Sequence, residues 1–165
     1  MTFEYRFGER VDVLCQLAIN EFRGQKSLQL IVQDIRLSSE FEAERNRQKA
    51  RYAEIMNGAN ISRDEDIIPT RADVAHVYKF LRYEGMCGRK VLTCRNLRSA
   101  ILEQTSVDIN YIKLKFILNI LSDMKVCEFD FYDEEIFEFE VCKNVQKSNI
   151  ESTDTFKMLE SICIS

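Results

Sequence analysis

The chain has little proline, histidine or glycine. Of its 165 residues, one is proline (Pro69), one is histidine (His76) and five are glycine. No glycine- or proline-rich tract is present, which excludes a collagen-like or low-complexity chain. The six cysteines form no C-x-x-C pair, so a zinc ribbon is not expected. In a cytosolic chain of this size we expect free thiols rather than a disulfide framework.

Long apolar runs are also missing. No run of about 18 apolar residues occurs, so the sequence predicts no membrane-spanning helix and no membrane partner. The first six residues lack the apolar core of a signal peptide. With 45% apolar residues, the composition indicates a globular protein, and the expected compartment is the cytoplasm.

Acidic charge is concentrated at one end of the chain. Residues 1–58 carry nine basic and nine acidic side chains, residues 59–126 carry eleven and eight, and residues 127–165 carry three and ten. An acidic surface repels a polyanion. Any attraction for nucleic acid must therefore come from the first three quarters of the chain.

Residues 11–36 contain two runs with alternating apolar side chains on either side of a basic, glycine-containing turn. The apolar positions that share a face are Val11, Val13, Cys15, Leu17 and Ile19 in the first run, and Leu28, Leu30 and Val32 in the second. A period of two around a short glycine loop predicts a β-hairpin. Its tip carries Phe22, Arg23 and Lys26. An aromatic ring beside two cations suits single-stranded nucleic acid, although basic turns are also common simply as solvated turns.

The same stretch resembles a known family. Asn20-Glu21-Phe22-Arg23-Gly24, followed by Leu28-Gln29-Leu30 and Asp34-Ile35-Arg36, resembles the last hairpin of the OB-fold domain in the RecJ family, bacterial exonucleases specific for single-stranded DNA. The resemblance implies that Phe22 stacks on a base while Arg23, Lys26 and Arg36 meet phosphates. It also implies that the chain begins partway through the barrel, so that the other strands and the catalytic domains lie upstream or in a separate gene product.

A helix and a linker follow the hairpin. Ser39-Glu40-Phe41-Glu42 reads as a capping box, and the polar, glycine-free run to Met56 predicts a helix that bridges two modules. Its cations are expected on a solvated face beside glutamates, although they could touch phosphates. Residues 57–68 read as a linker ending at Pro69. The predicted division is therefore 1–38 as the OB-fold hairpin, 39–68 as helix and linker, and 69–165 as a C-terminal module.

The predicted order of elements in the C-terminal module is helix, short strand, helix, helix, strand, strand. Thr70 and Thr93 can cap helices on either side of a short extended piece at Val91 and Leu92. Residues 109–125 predict a helix with a wide apolar stripe that is nearly buried, and two alternating strands follow around the turn Asp133-Glu134-Glu135. This order predicts an α+β chain that ends in a winged-helix-like domain. Pro69-Thr70-Arg71-x-Asp73, Val77-Tyr78-x-x-Leu81 and residues 143–159 also resemble the extra C-terminal domain of many RecJ proteins.

Catalytic residues are not expected in this chain. The RecJ resemblance implies metal-assisted phosphodiester hydrolysis with Mn²⁺ or Mg²⁺, held by Asp-His-His type motifs that this sequence lacks. His76 lies beside an apolar stripe and is expected to be structural. There is likewise no glycine-rich phosphate loop. The chain alone is expected to be inactive, and any metal is expected in the absent catalytic domains.

Two functions remain open from the sequence. The first is the C-terminal part of a RecJ-type 5′→3′ exonuclease in DNA repair and recombination, which binds single-stranded DNA and contacts the upstream catalytic domains and other DNA-repair proteins. The second is a protein-interaction module that binds no nucleic acid. Four carboxylates on the predicted outer face of the last hairpin favour protein docking or a structural role for the C-terminal module: Glu128, Asp130, Glu138 and Glu140.

Overall fold

The computed structural model describes residues 5–22, 24–143 and 149–164, and shows an α+β chain with five helices and three small sheets in that part. No helix within these ranges has the length and apolar character needed to cross a membrane. The α+β class expected from the sequence is therefore confirmed.

The predicted hairpin is present and is long. Strand β1 is Val11–Phe22 and strand β2 is Gln25–Leu37, so each spans about 40 Å at roughly 3.4 Å per residue. The two-residue turn contains Gly24 at φ +78°, a conformation that glycine adopts without steric strain. Leu17 pairs with Leu30 and Ile19 with Leu28. Directly paired residues lie on one face of a sheet, so the two apolar stripes coincide as predicted.

A β-bulge keeps that apolar face continuous toward the base of the hairpin. Leu14 pairs with Asp34 and Cys15 with Val32, which leaves Gln33 as the extra residue. An unbulged strand would turn Ile35 to the opposite face from Val32, because side chains alternate. With the bulge, Ile35 pairs with Val13 and extends the apolar face.

Helix α1, Ser39–Met56, follows directly. The predicted capping box at Ser39 is wrong: Ser39 is already helical, the N-cap is Ser38, and the Ser38 side chain makes no capping hydrogen bond. The capping-box motif that begins at Ser39 predicts the N-cap one residue after its actual position, Ser38. The helix end at Met56 agrees with the prediction.

A short strand lies within the linker, and a helix, a strand and two helices follow it. Strand β3 is Ile61–Ser62, α2 is Arg71–Glu84, β4 is Lys90–Thr93, α3 is Cys94–Thr105 and α4 is Tyr111–Asp123. Thr70 and Asp73 form a reciprocal capping box on α2, and Thr93 caps α3 by accepting from the Asn96 amide. Both threonine caps agree with the sequence-based prediction, because threonine oxygens satisfy amides that the first helical turn leaves unpaired.

The last part of the chain forms a three-stranded antiparallel sheet and a closing helix. Strand β5 is Cys127–Phe131, β6 is Ile136–Val141, and the sheet order is β4-β6-β5. Helix α5, Asp154–Ile162, packs against α4 and leads into β7, Cys163–Ile164, which runs parallel to β3. Residues 144–148, part of the stretch 143–159 that resembles the C-terminal domain of RecJ proteins, lie outside the described residues.

The core is built around α4. Ten of its residues are buried, and the inward aromatic side chains of β6, Phe137 and Phe139, are fully buried beside it. Ile55, Ile61 and Ile67 belong to the same buried cluster. Those three residues precede Pro69, so the hydrophobic core extends across the boundary predicted there, and the end of α1 with the linker packs as part of this core.

Candidate nucleic-acid and protein-docking surfaces

The hairpin tip contains part of the predicted DNA-binding set. Phe22 ends β1 and pairs with Gln25 across the turn, while Arg23 lies outside the described residues. Lys26 is the second residue of β2, and its Nζ is 3.9 Å from the Glu21 carboxylate. Both side chains of this pair are largely exposed, at 69% and 59%, so solvent screens the pair and Lys26 remains accessible to another anion.

Arg36 does not lie at the tip. It pairs with Asp12 near the base of the hairpin, with Nε 3.5 Å from the carboxylate. About ten residues of strand, roughly 30 Å, separate Arg36 from Lys26. The two cations also occupy opposite faces, because Lys26 pairs with Glu21 on the apolar face and Arg36 does not. A single-stranded chain bound at the tip would therefore need several nucleotides to reach Arg36.

The apolar face of the hairpin is open to solvent. Large aliphatic side chains on it are between 46% and 73% exposed: Val13, Leu17, Ile19, Leu28, Leu30 and Val32. Neither β1 nor β2 pairs with another strand within the described residues. Soluble monomers rarely expose an apolar patch of more than a few hundred Å². Exposed apolar faces of this kind are typical of interaction surfaces.

The base of the hairpin is fixed to α3 by an ion pair. Glu9 accepts hydrogen bonds from the Arg95 guanidinium and from the Arg6 backbone amide, and its side chain is only 3% exposed. Burial acts to raise the pKa of Glu9, but the bonds from Arg95 and Arg6 outweigh it and lower that pKa. Gly8 adopts φ +83°, and a Cβ there would lie 2.6 Å from Leu102. Glycine at this position therefore allows residues just before β1 to lie close to α3.

A cleft of about 660 Å³ lies beside this clamp, between residues 7–10, α1 and α3. Five arginines line it, and so do five carboxylates. Arg45 is 3.0 Å from Glu135, Arg47 is 2.5 Å from Glu44, and Arg95 pairs with Glu9. Because the charges balance and most are paired, the cleft has no excess charge that would attract a phosphate backbone.

Helix α4 offers no exposed cations in its first turns. Lys113 and Lys115 are 5% and 7% exposed. Lys113 bonds to Asp66 and approaches Asp73 at 3.8 Å. The Lys115 ammonium lies 3.7 Å from the centre of the Phe131 ring, and burial lowers the pKa of Lys115. Both lysines stabilise packing, and neither is available to bind a DNA groove.

The outer face of the three-stranded sheet is acidic, as predicted. Glu128 pairs directly with Glu140, and Asp130 with Glu138. Like charges opposite one another destabilise a sheet. Arg89 partly compensates, since its guanidinium lies within 3.2 Å of Asp130, Glu138 and Glu140. The remaining negative charge makes this face unsuitable for nucleic acid.

The turn between β5 and β6 is ordered by its own side chains. The Asp133 carboxylate accepts from the amides of Glu135 and Ile136, each at 2.7 Å, and these bonds lower the pKa of Asp133. Glu135 faces inward, toward Arg45 and Lys49 of α1. The acidic turn is therefore tied to α1 through Glu135.

The described residues contain no cluster of side chains suited to hold a metal ion. Among the described residues, no group of three or more His, Cys, Asp or Glu side chains could hold a metal ion. His76 is partly exposed on α2, beside the buried stripe of Val74, Val77 and Leu81. No step of a Mn²⁺- or Mg²⁺-dependent reaction is assigned to these residues.

Sequence patterns did not reveal the Glu9–Arg95 clamp or the role of Arg89. Arg95 and Glu9 are 86 positions apart, and no local spacing links them. The bulge had a visible signal: the apolar phase moves from Leu28, Leu30 and Val32 to Ile35 and Leu37. That change of parity predicts one extra residue between the two halves of the strand.

Comparison with known proteins gives no match among protein-family models, curated proteins or solved structures. The family resemblance therefore depends on the hairpin motif and on the looser match in the C-terminal part of the chain.

Proposed function

We propose that this chain is the C-terminal, non-catalytic part of a RecJ-type single-stranded-DNA-specific 5′→3′ exonuclease. In this proposal the hairpin β1–β2 is the end of an OB-fold barrel, and the remaining strands come from the catalytic portion of the enzyme. Residues 69–165, preceded by α1 and the linker, form a winged-helix-like accessory domain. The enzyme would act in DNA repair and recombination.

One observation carries the proposal: the segment with the family motif is a long hairpin with an exposed apolar face. A pair of strands removed from a closed barrel has these properties, because a barrel buries one face of every strand and leaves no edges. Two strands alone are marginal in water. The hairpin therefore suits completion by strands from elsewhere.

The winged-helix-like assignment is supported by the order α2, β4, α3, α4, β5, β6 and by the sheet order β4-β6-β5. The buried lysines of α4 and the acidic sheet favour a protein-docking role over duplex DNA reading. In this proposal DNA contact falls to the hairpin, through Phe22, Arg23 and Lys26 at the tip and Arg36 at the base.

Reconstitution tests the proposal directly. A RecJ-type catalytic fragment that ends before its matching hairpin is mixed with this chain, and nucleotide release from single-stranded DNA is measured with Mn²⁺. We expect this chain alone to be silent and the mixture to be more active than the fragment alone. A control chain with Leu17→Lys and Leu30→Lys should fail to stimulate. Nucleotide release by the purified chain, or equal stimulation by the control, contradicts the proposal.

The second candidate is a protein-interaction module without nucleic-acid binding, favoured by the acidic outer face of the three-stranded sheet. A titration of labelled single-stranded DNA at low and physiological salt separates the two. The nuclease role predicts weak, salt-sensitive binding that Arg23→Ala with Lys26→Ala reduces. The exposed cations Arg63 and Lys79, changed together to alanine, serve as the matched control. Absent binding favours the second candidate. Binding that the tip variant leaves unaffected refutes the assignment of the DNA contact to the tip.

A further inference from the structure

We infer that a second copy of this chain covers the apolar face of the β1–β2 hairpin, forming a twofold-symmetric dimer in which two hairpins stack face to face. The inference concerns the chain on its own and does not rest on the nuclease role. A second copy of the chain and the remaining strands of the proposed barrel would both bind the same apolar face, so the two would compete for it.

The area of the face is sufficient for a specific dimer. The six exposed aliphatic side chains present on the order of 600 Å² of apolar surface per copy, taking roughly 100 Å² for each. Two copies would bury about 1,200 Å², the lower end of the range for specific interfaces. The face is also continuous, because the bulge keeps Ile35 on the same side as Val32.

Charge at the tip selects one of two twofold arrangements. Glu21 and Lys26 are paired positions on the apolar face. With the symmetry axis parallel to the strands, β1 of one copy lies over β2 of the other, and each Glu21 faces the Lys26 of the second copy. With the axis across the strands, both charges lie over the apolar base at Val11 and Leu37, where burial of charge is unfavourable. The first arrangement makes the hairpin self-complementary, as a twofold interface requires.

Cys15 offers an independent accessibility check. It is exposed in the single chain, pairs with Val32, and lies near the middle of the apolar face. Sheets that pack face to face are about 10 Å apart, and their inward side chains fill the space between them. Dimer formation would therefore shield the Cys15 thiol from a thiol reagent.

Sedimentation equilibrium of the full chain tests the inference. We expect a reversible monomer–dimer equilibrium in the micromolar range. Leu17→Lys with Leu30→Lys should weaken it by more than about 100-fold, since lysines would be buried without partners. The matched control is Leu14→Lys, a 62% exposed position that pairs with Asp34 on the opposite face, and it should dimerise normally. Circular dichroism verifies that each variant is folded.

Charge reversal provides the second arm. Glu21→Lys should weaken the dimer, and adding Lys26→Glu should restore it. In a Cys87→Ser background, maleimide labelling of Cys15 should slow as the protein concentration rises and the dimer forms. A monomer at all concentrations, open-ended aggregation, a dimer insensitive to the Leu17 and Leu30 changes, or Cys15 labelling that is independent of protein concentration overturns the inference. A dimer without DNA binding would support it while contradicting the nuclease role.

Discussion

Replacing Glu9 by glutamine should loosen the hairpin from α3. The change keeps the size of the side chain but removes the charge that receives the Arg95 guanidinium, in a site where the Glu9 side chain is 3% exposed. A hydrogen bond to a charged group contributes about 1.5–3 kcal/mol. Because Arg95 remains partly exposed, we expect a loss near 2 kcal/mol, about a 30-fold shift in the opening equilibrium of the hairpin base.

Hydrogen exchange and urea unfolding measure this loss. At neutral pH, exchange of residues 5–10 and of the Ser38 amide, which bonds to the Arg10 carbonyl, should accelerate in Glu9→Gln. Glu103→Gln is the control, because Glu103 is an exposed carboxylate on α3, the helix that carries Arg95. Unchanged exchange in Glu9→Gln, or equal acceleration in the control, would refute the clamp.

The stability difference between wild type and Glu9→Gln should decrease as pH falls. The folded chain lowers the pKa of Glu9 from its ordinary value of 4.5. A carboxyl group with a lowered pKa stabilises the fold above its unfolded pKa, and that contribution is lost as pH falls through the folded value. Wild type and Glu9→Gln should therefore differ most above pH 4.5 and converge below it. A difference that is constant from neutral pH to about pH 3 would show that charge is not responsible.

Three further outcomes follow from the geometry. At protein concentrations where the chain is monomeric, iodoacetamide at about pH 8 should label exposed Cys15 rapidly and spare Cys94 until unfolding, because burial raises the Cys94 pKa to about 12; equal labelling by mass spectrometry would contradict this. Arg89→Ala should lower the midpoint of urea unfolding at low salt, because Arg89 contacts three carboxylates. The difference in midpoint from wild type should shrink as salt screens these charges, and a difference independent of salt would refute the electrostatic origin. Gly85→Ala should cost about 1–3 kcal/mol in urea unfolding, because the new Cβ would lie 2.8 Å from Val141; a neutral effect would show that Val141 moves freely.

The hairpin, the threonine caps and the two final strands could be predicted because each depends on local periodicity. The alternation that predicts β1 also fixes which face its side chains occupy, and Thr70 needs only Asp73 three residues later. The burial of Lys113 and Lys115 could not be predicted this way. Their environment comes from Asp66 and Phe131, which no helical spacing connects to α4.

The candidate site was predictable at its tip and not at its base. Lys26 and Glu21 lie across a short turn, so the sequence places them together. Arg36 was grouped with Lys26 by the family motif, yet strand length alone separates the two cations. The contact that orients the hairpin, from Glu9 to Arg95, joins distant parts of the chain and becomes visible only in the folded structure.

Because of the bulge, strand β2 can lose Gln33 without a change in which side chains share a face, whereas the loss of a paired residue would change them. Because Gln33 is outside the pairing, its deletion would leave a regular ladder with every other side chain on its present face. Deletion of Gln29 or Leu30 would instead invert the faces of all residues between that point and the bulge. The two parts of the family motif, Leu28-Gln29-Leu30 and Asp34-Ile35-Arg36, lie on either side of this residue. A natural relative that lacks a residue here could therefore conserve the surface while appearing misaligned in sequence.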